Sequence, residues 1–159
     1  MDQQEQFFVS TVENCRAALY RVALGMLRLP ADAEDAVSSA VVIAFSHLSS
    51  LRKEEALPGY LMQCLIHECY RQLRKRKKER ALLERIPKDP PPDLSPLWFS
   101  LSHLPEKFRL PLMLRYGENL SLEDTAGILR IPKGTVSSRC SRGLQLLRNE
   151  MEKETRGHD

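Results

Sequence analysis

Ile131 to Leu147, reading IPKGTVSSRCSRGLQLL, joins a turn signal, an amphipathic helix and unopposed positive charge in one short stretch. Val136, Cys140, Leu144 and Leu147 recur at helical spacing and predict the buried stripe. Ser138, Ser141, Arg142 and Gln145 fall on the opposite side, with Ser137 and Arg139 on its flanks. Small hydroxyls permit close approach to a groove. A guanidinium can make two parallel hydrogen bonds to guanine or grip a phosphate. From Thr125 to Asn149 there are five cations (Arg130, Lys133, Arg139, Arg142, Arg148) and no acid. The segment reads as the second helix of a DNA-binding helix-turn-helix. An ordinary solvated helical hairpin is the plainer alternative.

A first helix must precede it. Ser121-Leu-Glu-Asp124 has the form of a capping box, a hydroxyl followed three residues later by an acid. Leu122, Ala126 and Leu129 share a face, and Pro132 with Gly134 ends the element near Arg130. Upstream, Pro105 opens a helix over 106–116 with Leu104, Phe108, Leu112 and Arg115 near one face. Pro111 inside it removes a backbone donor and should bend it.

A second source of positive charge lies mid-chain. Arg71 to Arg80 holds seven Lys or Arg in ten residues. Such a run is most simply a solvated helix end, which also suits the negative end of the helix dipole. Paired with a second basic motif it points to extended contact with phosphates, which supply affinity more than sequence choice. The run ends a helix expected from about Gly59, burying Leu61, Cys64, Leu65, Cys69 and Leu73. Two helices precede it. Phe8, Val12, Cys15, Leu19, Val22 and Met26 mark one that ends at Leu29-Pro30. The next is expected to be capped by Asp32, with Glu34 and Asp35 in its first turn and Val37, Ala40, Val41, Ala44, Phe45 and Leu48 inward. Those acids are either simple capping groups or a docking face for a basic partner.

Residues 86–97 contain five prolines and favour extended geometry, so they read as a linker. No segment alternates with period two. The expectation is an all-α protein of 159 residues: a helical domain over 1–80, a linker over 81–97, and a helix-turn-helix domain over 98–159.

Charge is unevenly placed. Residues 1–50 hold three basic and six acidic side chains, and 51–90 hold eleven and six, within a net charge of +3. That asymmetry implies different partners for different faces and argues against a nonspecific nucleic-acid coat. The longest wholly apolar run, Ala40 to Phe45, is far too short to span a bilayer, and the first residues lack a signal peptide's pattern. A cytoplasmic protein without membrane insertion is expected. Cys15, Cys64, Cys69 and Cys140 form no CxxC pair and read as reduced structural thiols. Cys64, His67 and Cys69 make a poor metal set, because Cys69 turns away from Cys64 on a helix and a fourth ligand is lacking. No glycine-rich phosphate loop, paired-carboxylate or Ser/His/Asp arrangement stands out, so neither a cofactor nor an enzyme is expected.

Two blocks together resemble one family. ADAEDAV, followed by GYLMQCLIHECYRQLRKRKK (59–78), is similar to the promoter −10-binding region of bacterial sigma factors of the ECF (extracytoplasmic function) type. LSHLPEKFRLPLMLRY, followed by LSLEDTAGILRIPKGTVSSRCSRGLQLLR, is similar to their −35-binding region. The resemblance implies a non-catalytic protein that binds core RNA polymerase and promoter DNA and answers in some members to an anti-sigma factor. It implies polymerase docking by Asp32, Glu34 and Asp35. It implies −10 contacts by Ser49, Ser50, Arg52, Lys53, His67, Arg71, Arg74 and Lys75. It implies −35 contacts by Ser121, Lys133, Thr135, Ser137, Ser138, Arg139, Ser141 and Arg142, with the linker threading toward the RNA exit path. The chain departs from the family pattern at several places. Ser38-Ser39 replaces a usual Gln-Glu, removing an acid. His67 stands where Asn is common, Ser137 where Lys or Arg is common, and Arg130 where a turn Gly is frequent. A helix-turn-helix regulator acting without replacing a sigma factor would account for 121–147 but give residues 59–78 no task. A sigma-like module repurposed to bind a regulator is a third reading.

Overall fold

The computed structural model describes residues 1–79 and 95–157, and among them every regular element is helical. The chain divides into two compact units, Met1–Leu94 and Ser95–Asp159.

In the first unit α1 spans Gln3–Leu27, α2 Pro30–Ser46 and α3 Leu57–Lys78. Asp2 caps α1 by accepting from the Glu5 amide at 2.7 Å. The helix stops at Arg28, whose φ of 65° is left-handed and whose amide returns to the Leu24 carbonyl. Pro30 then starts α2, because its fixed φ suits a first helical residue and its missing donor costs nothing there. This corrects one expectation: Leu29 occupies the cap position, and Asp32 lies within the first turn. Leu19, Val22, Leu27, Leu57, Leu61 and Leu65 are fully buried, and α2 meets them with Ala33, Ala36, Ala40 and Ala44. Small side chains let three helices approach closely around one core. Phe45, expected inside, is 49 % exposed and meets Phe8 edge-on at 5.2 Å between ring centroids. Cys15, Val41 and Leu73 are half-buried rather than central. α3 begins two residues before Gly59, since Pro58 favours its first turn.

In the second unit α4 spans Pro96–Ser102, α5 Glu106–Leu112, α6 Leu122–Leu129 and α7 Lys133–Gly157. Ser95 caps α4 by accepting from the Trp98 amide. Pro96 and Leu97, read as linker, therefore already belong to a helix, while 81–94 lie outside the described residues. α5 carries Pro111 inside it and runs on into a π-helical turn over Met113–Gly117, closed by the Glu118 amide on the Met113 carbonyl at 3.0 Å. Trp98 packs against that turn, and a Cβ on Gly117 would lie 2.3 Å from its ring. Leu110, Leu112, Met113, Leu114 and Val136 form the centre of this core.

Candidate nucleic-acid interface

α6 and α7 form the expected helix-turn-helix. Ser121 caps α6, accepting from the Asp124 amide at 2.9 Å. α6 ends at Arg130 with φ 55° and ψ 44°, a left-handed residue that closes the turn on the Ala126 carbonyl. Glycine meets that geometry freely, and an arginine there is strained by about 1 kcal/mol. Arg130 itself is exposed.

The inward stripe of α7 is Val136, Cys140, Gly143 and Leu147, not Leu144, which is 38 % exposed. The reason is the closeness of α5. A Cβ at position 143 would come 2.7 Å from the Leu112 side chain and 3.2 Å from Phe108. Glycine occupies the contact line, and its neighbour Leu144 turns outward. Ser137, Ser138, Ser141 and Arg142 are exposed on the opposite side, with Thr135 and Arg139 half-buried at its margins. Ser138 donates to the Thr135 carbonyl at 3.2 Å, and Arg142 donates to the Gln145 amide oxygen at 3.2 Å. Both are weak local contacts that a ligand can replace. Lys133 pairs with Glu123 across the turn, and the ammonium holds the Glu123 carboxyl below the usual carboxylate range.

On α3, His67, Arg71, Arg74 and Lys78 are exposed at helical spacing, joined by Lys75 and Lys77. Arg71 is paired within its own helix. Glu68, 8 % exposed, accepts from its Nε at 3.1 Å and its Nη2 at 2.8 Å, and that partner raises the pKa of the guanidinium. Ser49 and Ser50 sit in an exposed 3-10 turn (Leu48–Ser50) after α2, followed by exposed Arg52 and Lys53. At the start of α2, Glu34 and Asp35 are exposed, as is Ser38. Asp32 differs: its Oδ2 accepts from Arg76 Nη2 at 2.7 Å. Sequence reasoning missed Arg76, Gln72, Glu68 and Gly143. The first three follow the inward face of α3 onward from Leu65 and Cys69, so the helical period already marked them.

The four cysteines are free, with Cys64, Cys69 and Cys140 buried and burial raising the thiols of Cys15, Cys64 and Cys140. Low-reactivity structural thiols fit these positions. No helix among the described residues is long and apolar enough to cross a membrane.

A family model for Sigma-70 region 2 matches residues 11–79, and one for Sigma-70 region 4 matches residues 100–149. The RNA polymerase sigma-E factor of Streptomyces avermitilis is 30 % identical over 152 residues, covering 91 % of this chain and 85 % of that protein. The RNA polymerase sigma factor SigV of Bacillus subtilis is 28 % identical over 153 residues, covering 92 % of each. The sigma factor RpoE, solved in complex with the anti-sigma factor NepR from Bartonella quintana, shares the fold with a TM-score of 0.72. Its identity is 24 %, over 93 % of this chain and 96 % of that one. A serine- and arginine-faced helix-turn-helix in one unit and a basic helix end in the other thus coincide with the two matched regions, and the chain belongs to the ECF group of RNA polymerase sigma factors.

Proposed function

We propose that this sigma factor divides promoter recognition between its two units. Residues 1–80 dock on core RNA polymerase and hold the −10 element, and residues 98–159 read the −35 element. The observation that carries the reading is the pair of exposed faces. Arg71, Arg74 and Lys75, with His67 one turn before them, form a basic stripe within the region 2 match, and Ser137, Ser138, Ser141 and Arg142 form a small-residue face within the region 4 match. The first suits the phosphates of a separated strand, with Ser49, Ser50, Arg52 and Lys53 beside it in the chain. The second suits a major groove, with Ser121, Lys133, Thr135 and Arg139 around it toward the flanking backbone.

Docking falls to the acidic first turns of α2, chiefly Glu34 and Asp35, against a basic surface of the polymerase. The chain contributes recognition and leaves RNA synthesis to the polymerase, in the cytoplasm. An anti-sigma protein fits as a further partner: RpoE and CnrH, which share this fold, are seen with NepR and with the cytosolic domain of CnrY. A free-standing helix-turn-helix regulator leaves the match over 11–79 without a role.

Purified chain and core polymerase, mixed and resolved by size, test the docking half. A stoichiometric complex is expected, and reversing Glu34 and Asp35 to lysine should abolish it. A complex that survives that reversal would move the docking surface elsewhere.

A further inference from the structure

Arg76 stands in the middle of the basic run yet is 5 % exposed, while Arg74, Lys75, Lys77 and Lys78 around it are exposed. It reaches Asp32, forty-four residues away, with a 2.7 Å hydrogen bond from Nη2 to Oδ2. Gln72, one turn earlier on α3, donates to the main-chain carbonyl of the same Asp32 at 3.1 Å. Arg28, at the left-handed end of α1, lies near enough that Arg76 adds to burial in lowering its guanidinium pKa. The end of α1, the start of α2 and the end of α3 therefore meet in one cluster. Removing a guanidinium from water near a second one is unfavourable, and the Asp32 carboxylate offsets that cost. A helix end needing only solubility would leave Arg76 in water with its neighbours.

We propose that Asp32, Gln72 and Arg76 form a clasp that fixes the DNA-facing end of α3 against the polymerase-docking start of α2, so that docking presents the −10-binding cations in one orientation. The proposal rests on the functional reading of α2 and α3 given above, and it assigns Asp32 to the clasp instead of the docking face. One carboxylate oxygen of Asp32 is engaged by Arg76 and its carbonyl by Gln72, whereas Glu34 and Asp35 remain exposed. Without the clasp, the last turns of α3 would fray as helix ends do, and Arg74, Lys75 and Lys78 would sample many directions. Arg76 is a positioning residue: its side chain is buried against Asp32 and acts through the exposed cations beside it.

The test uses full-length chain and core polymerase, with two readouts: affinity for core, and the fraction of a responsive promoter opened at saturating holoenzyme. Asp32→Asn and Arg76→Gln should keep core affinity within about twofold and lower promoter opening about tenfold. Arg76→Lys should recover most of that opening. Glu34→Gln with Asp35→Asn should give the opposite pattern, weak core binding and normal opening once bound. If Arg76→Gln does not fold, Asp32→Asn carries the same comparison, because its side chain is partly exposed. Wild-type opening in a folded Asp32→Asn variant overturns the clasp, as does a loss of core affinity matching that of the Asp35 change. Failure of the functional reading is distinguishable: the unmodified chain would then bind no core or open no promoter.

Discussion

The last turns of α3 and the first turns of α7 both offer cations to solvent, but in different ways. On α3 Arg71, Arg74, Lys75, Lys77 and Lys78 crowd one helix end, where buried Glu68, three residues back on the same helix, pairs with Arg71 and half-buried Asp32 of α2 pairs with Arg76. On α7 the exposed face is mostly serine, its arginines Arg139 and Arg142 are spaced out, and Arg142 has only a 3.2 Å contact to Gln145 on its own helix. Dense, anchored charge suits a flexible strand whose phosphates must be gathered. Sparse charge among hydroxyls suits a preformed groove that must be entered closely. The contrast teaches that positive charge alone does not define either surface. What lies beneath each cation decides whether it grips, reads or holds the fold together.

The largest effect should come from the cation that holds the fold. Arg76→Ala should destabilise the first unit by about 2–4 kcal/mol, because it leaves Asp32 without its partner and a gap in the packing. Trp98 is the chain's single tryptophan and belongs to the second unit. Denaturation followed by circular dichroism should therefore shift, while the Trp98 fluorescence transition stays in place. A coincident shift of both would mean that the units unfold together.

Gly143→Ala is the matching change under α7. The added methyl meets Leu112 and Phe108, and should cost about 1–3 kcal/mol in the Trp98 transition, with little change in the first unit. Arg142→Ala should leave stability alone and weaken −35 binding by about 1–3 kcal/mol, with partial loss of base preference. Equal weakening on every sequence, measured by competition binding, would make Arg142 a phosphate contact and bring α7 closer to α3 in kind. Neutralising Arg74, Lys75, Lys77 and Lys78, with Arg76 kept, should flatten the salt dependence of promoter binding without lowering stability. An unchanged slope would remove them from the phosphate surface. The smallest effect is expected from Arg130→Gly, which relieves a left-handed arginine and should stabilise the second unit by about 1 kcal/mol or less.

Much of this was legible in the sequence because helices report on themselves locally. Ser121 and Asp124 announce a cap, the period of Leu61 and Leu65 announces a buried face, and Pro105 announces a helix start. What was not legible depended on contacts across the chain. Arg76 looks like one more member of a basic run until α2 is placed against α3. Gly143 looks like a weak point in a helix until α5 is found pressed against it. Asp32 has the composition of a cap, but Pro30 sets the helix start two residues earlier. For Arg76 and Gly143 a local preference was overruled by a neighbour distant in sequence, and for Asp32 by the proline two residues before it. The exposure of Ser137, Ser138, Ser141 and Arg142 was legible because it follows from the helical period of α7.

Transcription reconstituted on genomic DNA from the source organism, with core polymerase and this chain, shows whether the chain confers promoter choice. Mapped 5′ ends should fall at a limited set of start sites that share two sequence elements at fixed spacing, absent with core alone. Start sites no different from those of core alone, with the chain folded and present in excess, would mean that the chain confers no promoter choice.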